Sequence, residues 1–188
     1  MTTYYTRQSL WSLFLICAFP LHLWTIVFGL IDMSWTTVRT NLWDAVGVLS
    51  YALIFTFLES LIVWLAATLL GFLLPRHWDA ERRAMMMGML VLIAAIWAMA
   101  GSLYFLLGKP FPAFVLNFLA RSGHPLKLLL AGSGALVLFT FAVPLYLSLR
   151  SKRFCKKVQE GLKNLALLSS VYIALDAVGL FIVIIRNL

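Results

Sequence analysis

Five apolar runs of membrane length, roughly residues 10–31, 45–74, 84–107, 128–149 and 164–185, occupy most of this 188-residue sequence. A helix needs about 20 apolar residues to cross a hydrocarbon core about 30 Å thick. Inside such a core each backbone N–H and C=O must be satisfied by the chain itself, so runs of this length are read as helices. Composition agrees, with 63% hydrophobic and 12% charged residues and a mean hydropathy of +0.96. A soluble domain carries about 25% charged residues. Too few polar side chains remain to cover a water-facing surface. The predicted fold class is therefore all-α: a polytopic helix bundle with five transmembrane helices, forming a single integral membrane domain over residues 1–188. No hydrophilic stretch is long enough to fold separately.

Local signals refine the boundaries. The second run has about 30 apolar residues at about 1.5 Å rise and must tilt or protrude from the core. Asp44 is placed to cap its first turn, and Pro75 to mark its end. The first run is long for a secretory leader and no small-residue cleavage site follows it, which predicts an uncleaved anchor. In the outer connection, Phe111, Phe114, Val115, Phe118 and Leu119 follow the spacing of one helix face. That pattern predicts a short interfacial helix over about 112–121, with Pro112 in its first turn and Ser122-Gly123 as its stop.

The net charge of +8 would suit nucleic acid, but the charges collect in short segments between apolar runs. There they set orientation. Arg7, the segment 76–83 and the segment 150–163 share one side and hold ten of the fifteen Lys and Arg residues. The other side holds Arg39, Lys109, Arg121, Lys127 and Arg186. The N-terminus is predicted inside and the C-terminus outside. Aromatic residues suit these boundaries, with Tyr4, Tyr5, Trp11, Trp78 and Tyr146 on the inner side and Trp35, Trp43 and Tyr104 on the outer. Brief loops and the lack of an N-x-[ST] acceptor favour a bacterial inner membrane.

Three ionisable residues interrupt the apolar runs near mid-depth: His22, Glu59 and Asp176. A carboxylate there costs roughly 2.5–3.5 kcal/mol on insertion scales, so it is expected to face protein or water. Small and hydroxyl-bearing neighbours mark each as inward-facing: Ala18, Thr25 and Gly29 around His22; Ala52, Thr56 and Ala66 around Glu59; Ser169, Tyr172 and Gly179 around Asp176. Together with Thr25 and Tyr172 they form the candidate polar cluster. Two roles follow. Either the acids bond to His22, Tyr172 or Thr25 and pin the order of helices, or they line a path for protons or cations. No Lys or Arg occurs within any run, so only His22 can serve as a cation there.

Signals for chemistry are sparse, and the expected protein is not an enzyme. Ala131-Gly132-Ser133-Gly134 invites comparison with an intramembrane serine protease, but Ala131 stands where that motif wants Gly and the last run offers no His as base. Gly132 and Gly134 are read as a close-packing surface. A single inward His disfavours haem. No ligand spacing supports zinc, and Cys17 in a helix and Cys155 in a basic loop suggest neither a disulfide nor a metal. No cofactor is expected. The loop 76–83 reads as an ordinary solvated turn. Arg150, Lys152, Arg153, Lys156 and Lys157 would attract anionic lipid at about 1 kcal/mol each. The expected partners are the lipid bilayer and a membrane-protein subunit or second copy, for which the small pair Ala67/Gly71 offers a lipid-facing contact. The expected role is an accessory or scaffold subunit of a membrane complex; the alternative is a small proton- or cation-coupled transporter or channel.

Overall fold

The computed structural model describes residues 4–188, with the side chains of residues 34 and 35 outside the description. The boundary role expected of Trp35 therefore lies outside the described residues. Among those described, all regular structure is helical: α1 (Arg7–Arg39), α2 (Leu42–Gly71), α3 (Ala80–Gly101), α4 (Ala113–Arg121), α5 (Pro125–Arg150) and α6 (Lys152–Asn187). A π-helical turn, Ser102–Leu106, extends α3. Among the described residues five helices are long and apolar enough to cross a membrane; α4, the shortest at nine residues, is the short helix expected between the third and fourth of them.

Caps explain several boundaries. Thr6 and Ser9 form a reciprocal capping box that starts α1 three residues before its apolar run. Asn41, not Asp44, caps α2: its side chain accepts from the Asp44 N–H at 2.8 Å and donates to the Asp44 carboxylate. Pro112 is the residue before α4 and not inside its first turn, and Gly123, at φ +68°, follows its end. The segment 150–163 is not a loop. Only Ser151 breaks the helix there, and α6 begins at Lys152, carrying Cys155 and the basic residues on a helix that runs on through the apolar stretch. Their long side chains are compatible with a helix, and no Pro or Gly pair interrupts them.

The helices divide into two compact units. One holds the chain through Leu92 together with Lys156–Leu188. Within it α1 and α2 run antiparallel along their full length. Tyr5 donates to the Thr68 carbonyl at 3.3 Å, Trp64 to the Leu10 carbonyl at 3.1 Å, and the Thr25 and Thr56 hydroxyls meet at 2.7 Å. The inward face of α2 is a small-residue seam of Gly47, Ser50, Thr56, Ser60, Ala67 and Gly71. A Cβ on Gly71 would collide with the Tyr5 hydroxyl. Ala67 and Gly71 are thus consumed inside the fold and are not lipid-facing contacts. The start of α3 packs on both helices, with Ile16 against Gly88 and a core of Leu13, Cys17, Ala67, Ala84 and Met87. The α6 helix lies against α2 where Gly179 meets the Ser50 backbone, and Arg186 pairs with Asp44 at 2.8 Å.

The second unit, Ile93–Cys155, contains the end of α3, the π turn, α4 and α5. Trp97 donates to the Thr140 hydroxyl at 2.9 Å, and Tyr104 stacks on Phe111 at 4.7 Å. Among the described residues, a Cβ on Gly132 or Gly134 would meet nothing within 4 Å outside its own stretch of helix, so the close-packing surface expected of them has no partner within this unit.

Candidate functional site

His22 and Asp176 meet. α1 and α6 run parallel within the first unit, Gln8 and Gln159 lining one cavity and His22 and Asp176 meeting further along, and Ala18 and Ser169 on these helices are fully buried. The His22 ring is fully buried and the Asp176 side chain is 9% exposed. Nε2 of His22 lies 3.0 Å from both carboxylate oxygens, while Nδ1 lies 2.8 Å from the Ala18 carbonyl one turn back. Each ring nitrogen therefore has an acceptor. Tyr172, one turn before Asp176, stacks on the imidazole with ring centroids 5.4 Å apart and an interplanar angle of 8°. Thr25 joins the first unit differently, through the Thr56 hydroxyl of α2.

Glu59 stands apart. Its side chain is exposed near the middle of α2, on a stripe with Phe55 and Ile62, which are 64% and 68% exposed. No described residue forms a hydrogen bond or ion pair with it. The expectation that it faces inward fails for a geometric reason. The inward seam of α2 runs through Thr56 and Ser60, and a step of one residue rotates a helix by about 100°. Ala52, Thr56 and Ala66 share an arc of about 80° with Glu59, at about 100° per residue, yet Thr56 is buried and Ala66 is exposed, so that arc straddles the edge of the inward seam and small size did not define a buried face. The series Thr56, Ser60, Ala67, Gly71, at steps of 4, 7 and 4, was the better signal.

The turn 76–83 holds the residue that sequence reasoning passed over. Arg83 is fully buried at the start of α3, and it is not part of a solvated turn. Its guanidinium donates to the Gly71 carbonyl at 2.8 Å and the Pro75 carbonyl at 3.1 Å, and lies 4.8 Å from the Tyr4 ring centroid. These are carbonyls freed where α2 ends, and an arginine fork satisfies several at once. Trp78 is buried beside it. The Tyr5 hydroxyl is shifted to higher pKa by burial, partly offset by the nearby Arg83 charge. Pro75 signals that α2 has lost its ladder here; an arginine eight residues on was the available hint.

Arg150, Lys152, Arg153, Lys156 and Lys157 are all exposed. Arg150 also donates to the Tyr146 hydroxyl. Among the described residues no group of three or more His, Cys, Asp or Glu is placed to hold a metal ion. Compared with protein families, curated proteins and solved structures, the chain matches none.

Proposed function

We propose that this chain is a non-enzymatic multi-pass membrane protein that serves as an accessory or scaffold subunit of a membrane complex in the inner membrane, its N-terminus cytoplasmic. The observation that carries the reading is the outward-facing Glu59 carboxyl at the middle of α2. Left against acyl chains, such a group costs roughly 2.5–3.5 kcal/mol. A neighbouring transmembrane helix with a hydrogen-bond donor at that depth removes the cost. A second copy is poorly suited, because no Lys or Arg lies within any apolar run and His22 is already held by Asp176. The fitting partner is a different protein with a basic side chain at mid-depth.

The transport reading has less support, since Asp176 is buried against His22 while Glu59 lies on the exposed face. The test is affinity purification from native membranes in mild detergent, comparing the wild type with Glu59→Leu. The variant should lose a stoichiometric partner while the isolated chain unfolds no earlier than wild type. A wild-type chain that purifies alone, or a partner retained undiminished by Glu59→Leu, counts against the proposal.

A further inference from the structure

A groove of about 410 Å³ opens between α1, α3 and α6 in the first unit. Its mouth is polar, with Gln8, Glu81, Gln159 and Lys163; its floor is apolar, with Leu15, Ile16, Met85 and Ala166. From Gln8 to Ile16 it follows α1 for roughly 12 Å at about 1.5 Å per residue. That is close to one leaflet's half of a hydrocarbon core about 30 Å thick. The polar mouth lies at the same end of the unit as Arg83 and the start of α1.

We propose that this groove binds a diacyl phospholipid with a primary-amine headgroup. Glu81 and Lys163 supply the two signs such a zwitterion requires. Their closest atoms are 3.8 Å apart, and both side chains are more than half exposed, at 54% and 58%. That separation exceeds hydrogen-bond range, so the Lys163 ammonium keeps its donors for a phosphate. Gln159 donates to one Glu81 oxygen, Oε2, which leaves Oε1 to accept from the lipid amine. Ser12 lines the groove one turn below Gln8, half-buried and without a hydrogen-bond partner among the described residues, where a glycerol ester carbonyl would lie. A second cavity of about 850 Å³ shares Gln8 and Trp11 with the first and is walled by Phe14, Phe57, Leu61 and Trp64. Gln8 and Trp11 thus border two mainly apolar cavities, one on each side, a layout that suits two acyl chains under one headgroup. The inference rests on the chain spanning a membrane and is independent of Glu59 and its partner.

Native mass spectrometry of the full chain, delipidated in detergent and titrated with phosphatidylethanolamine, phosphatidylcholine or phosphatidylglycerol, tests it. One phosphatidylethanolamine should bind about tenfold more tightly than either other lipid, because only its ammonium donates hydrogen bonds to Glu81. Glu81→Gln should reduce that preference over phosphatidylcholine to near unity, and Lys163→Gln should weaken both zwitterionic lipids. Both substitutions are at exposed positions, and unchanged melting temperatures would confirm that they fold. Equal affinity for the three lipids, or no response to either variant, overturns the proposal. So does competition by soluble phosphoethanolamine at the same concentration, which would make the acyl channels irrelevant. A peptide segment of another protein crosslinked in the groove would equally overturn it.

Discussion

Asp176→Ala isolates the His22 pair. The substitution removes both oxygens that lie 3.0 Å from Nε2 and leaves that nitrogen in a fully buried ring. In soluble proteins, removing one partner of a buried ion pair costs about 3–5 kcal/mol. Polar contacts between membrane helices average only about 0.6 kcal/mol and reach about 1.7, because separated helices find other partners. Here an orphaned donor adds to the lost bond, so the expected loss lies between these limits, about 2–3 kcal/mol. Asp176→Asn keeps an acceptor for Nε2 and should lose about 1 kcal/mol. The double variant His22→Leu with Asp176→Leu removes both polar groups from a buried site. It should recover at least 1 kcal/mol relative to the sum of the single losses, since no unpaired group remains. Reversible unfolding of the purified chain in mixed micelles of increasing denaturing detergent gives each of these values, with His22→Leu and Asp176→Leu measured singly to supply the sum. A loss under about 0.5 kcal/mol for Asp176→Ala, no more than an ordinary surface substitution costs, would refute a pinning role for the pair.

Two further outcomes follow from the turn at the end of α2. Arg83→Met keeps the length of the side chain but leaves the Gly71 and Pro75 carbonyls unsatisfied; with charged hydrogen bonds contributing about 1.5–3 kcal/mol each, the loss should be about 3 kcal/mol, read by the same unfolding assay. Tyr5 has a hydroxyl held above its ordinary pKa of 10.0 by burial, so the fold favours its neutral form. Its contribution should be complete below pH 10 and decline as pH rises through the folded value, and Tyr5→Phe should flatten that alkaline limb in a stability-against-pH series.

The all-helical class and the five long apolar helices were legible because lipid-length runs leave the backbone few alternatives. The pairing of His22 with Asp176 was foreshadowed by the small residues around each, which sequence can display on both helices. The side on which Glu59 lies was not. It depends on a rotation of about 100° between neighbouring positions, and an almost wholly apolar helix has no polar face to fix its phase. The burial of Arg83 was hinted at only by its place eight residues after Pro75, because it depends on where the carbonyls at the end of α2 fall, which is tertiary information. The basic segment after Ser151 was read as a loop because its charges masked a helix that starts at Lys152.

The central claim is that the outward face around Glu59 is covered by another protein. A photocrosslinking amino acid placed at Ile62, about one turn from Glu59 on the same exposed stripe, tests this in native membranes under ultraviolet light. The account predicts one discrete protein adduct, whose crosslinked segment is a transmembrane helix carrying Lys or Arg. Adducts to lipid alone, with no protein band above the uncrosslinked chain, would contradict it.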